Sequence, residues 1–404
     1  MRALPVETRQ ERRRPVHVRS NPLLRGRPMF DERIEEAVRT LENQDIAEFR
    51  AGGGRVLGFF CSYVPEELLN VVGLASFRMR ALGCHATELA DSYMGLFNCS
   101  YTRHCLERGL EGEYGFLDGF VFVPGCDHMR RLYDNWAHFL DPPFLALVDV
   151  PHLRDEDATR WYRDEIEILW NKLSDRFSLP PGEEMVWKGI RRTNRVRQLL
   201  ADIDRQRWKE TPALSGREMQ KISLFAASVP KERAIPVLGD LLANFEGRTL
   251  EDPYRARVLV VGAHLDDPGF IEVLEETGAL VVRDAYCCGL RDQLGLVEED
   301  VGETGDPFLA IARRYLDRLS CPRMYGDYPR RLERIARMAG EARVDGIILE
   351  QMKFCETWGI DGNVLQEDLK ARGLPVLRLE REYLLSAKGQ MRTRVQAFLE
   401  SMGK

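Results

Sequence analysis

From Phe116 to Trp136 the chain reads FLDGFVFVPGCDHMRRLYDNW, an apolar run that stops at a glycine and hands over to a cysteine. Leu117 to Val123 is short and β-rich, as a buried parallel strand is, whereas Asp127 to Trp136 has the composition of a helix. Cys126 therefore falls at the carboxyl end of a strand and the amino end of a helix. In open α/β sheets ligands bind in that crevice, and the positive end of a helix favours a thiolate over a thiol. Near the other end of the chain VDGIILEQMKFCETW, Val344–Trp358, repeats the pattern around Cys355. Two cysteines placed in this way mark a candidate site.

The segments between them fit that frame. Apolar spacing predicts a helix over about 29–50, ended by Ala51–Gly54. A strand over Arg55–Phe60 follows, then a turn at Cys61, a helix over Glu66–Val72 beginning after Pro65, and strands over Ala75–Arg80 and Phe144–Asp149. From about 151 to 250 long amphipathic runs, WYRDEIEILWNKLSDRF and RRTNRVRQLLADIDRQRW, read as helices separated by Pro180-Pro181-Gly182. The α/β pattern returns at Arg257, with strands at VLVVGA, Ala279–Arg283, 345–349 and 374–379, and helices at Pro268–Glu276, Phe308–Arg318 and Gln390–Ser401. The expected class is α/β: two parallel-sheet, Rossmann- or flavodoxin-like domains with a helical connecting region. Expected boundaries are 1–50 for an amino-terminal arm and helix, 51–150 for the first α/β domain, 151–250 for the helical region and 251–404 for the second α/β domain.

The length of 404 residues suggests two or three domains. A net charge of −6 argues against general nucleic-acid binding, and no apolar run approaches the roughly 18–20 residues that span a bilayer. The arginine-rich amino terminus, with Arg12, Arg13 and Arg14, lacks the hydrophobic stretch of an export signal. It reads as a flexible arm or as one docked on a partner subunit. The nine cysteines are accordingly expected in a reducing cytoplasm, where a disulfide framework is not the natural reading.

Cys61, Cys126, Cys287 and Cys355 each follow an expected strand, and Cys321 precedes a proline at an element boundary. Zinc sites usually carry close C-x-x-C pairs, and this chain has none. Widely spaced thiols converging on a crevice suit an iron–sulfur cluster, whose ligands can come from distant loops. Three such ligands leave one iron open to a substrate oxygen or water. The segment VLVVGAHLDD lacks G-x-G-x-x-G, and no G-x-x-x-x-G-K-[ST] occurs, so the chain is not expected to bind ATP itself. His128 and His152 lack metal-ligand spacing and read as solvent-facing or satisfied core residues. Asp127 reads by default as a helix cap. Cys84 and Cys105 stand outside the ligand pattern.

Seven blocks in order carry a family resemblance: CSYVPEELL at 61–69, FNCSYTR at 97–103, the LDG and CDHMRRLYDNW pieces of 117–136, DAYCCGLR at 284–291, CPRM at 321–324, DGIILEQMKFC at 345–355 and GQMRTRVQAFLE at 389–400. From about residue 55 onward the chain resembles subunits of the 2-hydroxyacyl-CoA dehydratase and benzoyl-CoA reductase family. The resemblance implies a [4Fe–4S] cluster in the crevice between the α/β domains, held by Cys99, Cys126 and Cys355. It further implies a separate ATP-hydrolysing iron–sulfur activator, a homodimer or a heterodimer with a related subunit, and an acyl-CoA substrate whose thioester receives one low-potential electron. A second set, Cys61, Cys287 and Cys321, with Cys288 as an alternative to Cys287, resembles the double-cubane [8Fe–9S] branch of the same superfamily, homodimers that reduce small molecules. An electron carrier with no substrate of its own is the reading from a different class. No catalytic residue, CoA-binding run, nucleic-acid contact or membrane contact is assigned.

Overall fold

The computed structural model describes residues 31–180, 182–250, 253–299 and 305–404, so the expected amino-terminal arm lies outside the described residues. Two parallel sheets form the frame. The first contains β1 (Arg55–Phe59), β2 (Leu74–Arg78), β3 (Gly119–Phe122) and β4 (Leu145–Leu147), in the order β2-β1-β3-β4. The second contains β5 (Ala256–Gly262), β6 (Ala279–Ala285), β7 (Gly346–Met352) and β8 (Val376–Arg381), in the order β6-β5-β7-β8. Every pairing is parallel. Every residue of β5, β6 and β7 is buried, which is why these strands are near-continuous apolar runs.

The identical strand order gives each sheet its switch point between its first and third strands, β1 and β3 in one half and β5 and β7 in the other. Loops leaving the carboxyl ends of those strands line the crevice where α/β proteins hold ligands. One apolar core joins the halves. Phe60, Phe122 and Trp136 of the first half pack in the same cluster as Leu259, Val261, Ile347 and Leu349 of the second, and Phe60 stacks on Phe122 with ring centroids 4.2 Å apart.

Between the sheets in sequence lie helices Glu156–Phe177, Glu183–Asp204, Gly216–Ser228 and Lys231–Ala243. They are fastened to both halves by close backbone approach. A Cβ placed on Gly189 would stand 2.3 Å from Glu67 O, and one on Gly216 would stand 2.4 Å from Val281 Cβ. A buried ionic network reinforces the first contact: Arg197 pairs with Glu66 and Glu67, Lys231 with Glu66, and Tyr315 OH donates to Glu67 Oε2 at 3.0 Å. The segment after Cys61 is thereby held from the side.

Three expectations are corrected in detail. The helix expected over 29–50 is two helices among the described residues, Glu32–Arg39 and Gln44–Ala51. Asn43 caps the second by accepting from Ile46 N–H at 3.0 Å, and its amide donates to Ser228 O at 2.9 Å. A capping side chain with a tertiary partner outweighs the periodicity that would continue one helix. The helix expected over Glu66–Val72 is a five-residue 3₁₀ turn, Glu66–Asn70, with Asn70 turned onto Ser76 at 3.0 Å. The short span before Gly73 leaves no room for more. Finally, the strand expected over Ala75–Arg80 runs from Leu74 to Arg78. No helix among the described residues is long and apolar enough to cross a membrane.

Gly189→Ala places a methyl group against a carbonyl that cannot swing away. Chemical denaturation should show a loss of about 1–3 kcal/mol, as overpacking of a tight contact does; unchanged stability would mean that the helix can shift off the Glu66–Asn70 turn at little cost.

Candidate metal centre

Three of the cysteines occupy one kind of position. Cys99, Cys126 and Cys355 are the N-cap residues of helices Ser100–Leu110, Asp127–Phe139 and Glu356–Ala371. Cys126 and Cys355 get there from the ends of β3 and β7, one strand of each switch point. Asp127, expected to cap, is instead the first helical residue, exposed and 3.9 Å from Arg131. The chain arrives at Cys126 fully extended, with φ −159° and ψ 172°, which is N-cap geometry. Burial raises the pKa of each of the three thiols, Cys355 to about 12. The backbone N–H groups of Thr102, Met129 and Trp358, three residues into each helix, oppose that shift. Such amides and the aligned helix dipoles favour negative charge at this spot.

The thiols also feel one another. Cys126 is pushed up by burial and then by Cys99, with Cys355 and Cys61 adding to it, and Cys355 by burial and then by Cys99. Cys61, which follows β1, is raised by burial and by Cys287. Cys321 is raised by burial and by Cys287 and Cys61, against Arg291. These influences run within each of the two expected trios, Cys99/Cys126/Cys355 and Cys61/Cys287/Cys321, and also between them. They adjoin: a Cβ on Gly125 would lie 3.3 Å from Cys61 Sγ, and Cys321 acts on Cys355. Among the described residues, no three His, Cys, Asp or Glu groups converge closely enough to hold one metal ion.

Cys287 and Cys288 face opposite ways. Arg291 donates to Cys287 Sγ, whereas Cys288 is buried with its sulfur 3.5 Å from His264 Nδ1. Cys84 donates to Ala86 O at 3.0 Å, and Cys105 lies in the core between Tyr101 and Tyr114. Both are packing residues, and neither is the N-cap of a helix.

His128 is buried and braces the loops, its ring nitrogens 3.1 Å from Asn98 Oδ1 and 2.9 Å from Phe354 O. It is a satisfied residue, as expected, and so is His152, bonded to Arg323 O at 2.8 Å. Three further contributors, Phe354, Arg78 and Arg291, carry no signal in the sequence pattern. Phe354, immediately before Cys355, has φ +64°, a left-handed conformation that costs a bulky residue energy and persists only where its surroundings impose it. Arg78 and Arg291 are 2% and 1% exposed, and the Nε and Nη1 atoms of both are buried without partners. Neither makes an ion pair with a carboxylate among the described residues. Arg291 stacks over Trp358 at 5.0 Å and faces Cys287. Arginines are common on any surface, and only their burial beside sulfur distinguishes these two.

The chain is 25% identical to the (R)-phenyllactyl-CoA dehydratase beta subunit of Clostridium sporogenes, covering 87% of this chain and 92% of that one. It is 22% identical to one of the subunits of benzoyl-CoA reductase from Thauera aromatica, covering 80% and 84%. It is also 22% identical to (R)-2-hydroxyglutaryl-CoA dehydratase, subunit beta, of Acidaminococcus fermentans, covering 88% and 95%. Residues 61–402, from the first cysteine of the second trio almost to the carboxyl terminus, match the family 2-hydroxyglutaryl-CoA dehydratase, D-component. With the whole second sheet, three strands of the first and all nine cysteines inside that match, the chain belongs to this family and is an enzyme subunit of the 2-hydroxyacyl-CoA dehydratase and benzoyl-CoA reductase class.

Proposed function

We propose that this chain is an iron–sulfur subunit that applies low-potential electrons to an acyl-CoA, by dehydrating a 2-hydroxyacyl-CoA or reducing an aromatic one. The observation that carries the reading is that Cys99, Cys126 and Cys355 are each the N-cap of a helix and that Cys99 raises the pKa of the other two. Three thiols too widely spaced for one ion suit a cubane, in which each ligand binds a different iron. The surroundings fit the group as well. Buried guanidiniums without carboxylates are costly unless matched by negative charge, and thiols that ligate a metal are ionised, so Arg78 and Arg291 gain counter-charges when the neighbouring cysteines bind a cluster.

A bound [4Fe–4S] cluster supplies single electrons at strongly negative potential, with one iron free of protein ligands. The chain's own groups do the rest. Helix N-termini bear negative charge at Cys99, Cys126 and Cys355, His128 holds the loops of Cys99, Cys126 and Cys355 in one register, and the joined apolar core keeps water from one side of the crevice. ATP hydrolysis belongs in this scheme to a separate iron–sulfur activator, and the enzyme assembles in the cytoplasm as a homodimer or as a heterodimer with a related subunit.

The second trio favours one alternative. Cys61, Cys287 and Cys321, adjoining the first set and facing Arg291, suit a double-cubane [8Fe–9S] cluster in a homodimer that reduces small molecules. Cys287, turned toward Arg291, is its ligand in preference to Cys288.

Iron and acid-labile sulfide counted on anaerobically purified protein separate the two. About four irons per chain supports the single cubane and acyl-CoA substrates, and about eight supports both trios. Cys126→Ser and Cys355→Ser should each lose most of the iron and of the reduced-state EPR signal; wild-type iron in both would end the three-ligand reading. Cys84→Ser and Cys105→Ser should keep wild-type iron content, because each sulfur already has a place in the packing. In an eight-iron protein, Arg291→Gln removes a cation and a hydrogen bond from sulfur, so a redox titration should move to more negative potential; an unmoved midpoint would separate Arg291 from the cluster.

A further inference from the structure

Away from the cysteines, a pocket of about 340 Å³ opens between helices Pro307–Asp317 and Tyr328–Glu341 and the loop after Gln293. Five arginines line it: Arg283, Arg314, Arg318, Arg334 and Arg337. Two carboxylates share the lining, Asp317 and Glu341, and they do not balance it. Asp317 is engaged by Arg154 at 2.5 Å and Arg330 at 2.9 Å. Glu341 lies 3.9 Å from Arg337. Arg283 is matched by Asp204 at 2.9 Å and Arg318 by Asp292 at 3.1 Å.

Arg314 and Arg334 have no carboxylate partner among the described residues. Arg334 donates to a backbone carbonyl, Asp317 O, at 2.6 Å. Arg314 is 6% exposed and bonds only the carbonyls of Gly295, Asp292 and Leu294, at 3.0, 2.5 and 3.2 Å. Its Nη1 is buried with no partner, as are Arg283 Nε and Arg318 Nε. Burial, with Arg197 and Arg318 nearby, pulls the pKa of Arg314 down to about 10. A buried cation left unmatched is costly, and planar guanidiniums with free N–H groups are the donors that grip phosphate oxygens. Leu319 and Met338 give the pocket an apolar wall.

We propose that this pocket binds a phosphorylated organic ligand, its phosphate oxygens meeting Arg334 and Arg337 with the buried charge of Arg314 behind them, and its body resting on Leu319 and Met338. The nucleotide end of coenzyme A and a free nucleotide share that chemistry. The first source rests on the acyl-CoA reading given above; the second does not. Arg318 joins the pocket to the cysteines, since its Nη2 donates to Ser62 O at 2.5 Å, next to Cys61.

The test is calorimetric titration of the anaerobically purified protein with coenzyme A, ADP and inorganic pyrophosphate. It compares wild type with Arg334→Gln/Arg337→Gln, two side chains at the rim whose loss spares the core, with matched thermal melts as the folding control. Wild type should bind coenzyme A or ADP, and the double variant should bind at least about tenfold more weakly, the loss expected for charge-assisted contacts to phosphate. Binding of coenzyme A without ADP would assign a substrate subsite; binding of ADP without coenzyme A would leave the pocket standing and remove the acyl-CoA reading. Coenzyme A bound equally by both proteins would overturn the pocket and spare that reading. Binding of none of the three probes by wild type, or of pyrophosphate alone, would also overturn it.

Discussion

Two arginines buried beside sulfur, neither in an ion pair with a carboxylate among the described residues, set the terms for the centre of this molecule. Arg78 stands on the last residue of β2 and Arg291 just beyond the turn that carries Cys287 and Cys288. Their guanidiniums lie among Cys287, Cys288 and Cys321 and the ring of Trp358. A protein that folds around such charges needs anions in the same volume. Thiolates of a bound cluster, as proposed above, would supply them, and the three helix N-termini at Cys99, Cys126 and Cys355 add positive potential. The crevice is built to hold negative charge, in a chain whose net charge is itself −6.

The remaining architecture keeps those groups in place. Parallel strands buried on both faces fix where each loop leaves its sheet, and the shared strand order turns both switch points toward one region. The helical segment then locks the outside: Gly189 and Gly216 admit backbone at distances no larger residue allows, and the Arg197–Glu67–Tyr315 network anchors the turn that follows Cys61. Strain is confined to places such as Phe354, where left-handed backbone aims Cys355 while Phe97 packs edge-on against the Phe354 ring at 5.6 Å.

Local pattern was legible where one element decides the outcome. The strand–cysteine–helix grammar of 117–136 and 344–358 located β3, β7 and their helices to within a few residues, because a run buried on both faces cannot hide its composition. The grammar failed where a partner far along the chain decides: Asn43 breaks a periodic helix with the help of Ser228, and Cys126 takes the cap position for which Asp127 is the better residue by type. No spacing rule distinguishes Cys287 from Cys288, since what separates them is Arg291 on one side and His264 on the other. His128 touching Phe354 across 226 positions is likewise a fact of three dimensions.

The trios have a further consequence, for assembly. Cys99 and Cys126 come from the first half and Cys355 from the second, while Cys61 comes from the first and Cys287 and Cys321 from the second. Neither half owns three of either set. In the proposed cluster-bound state, filling of the site would wait until the halves had docked, and a filled site would work as a rivet between them, so that occupancy and docking would stabilise each other. Under that proposal, a chain short of iron and sulfide would meet its difficulty at the seam between the halves.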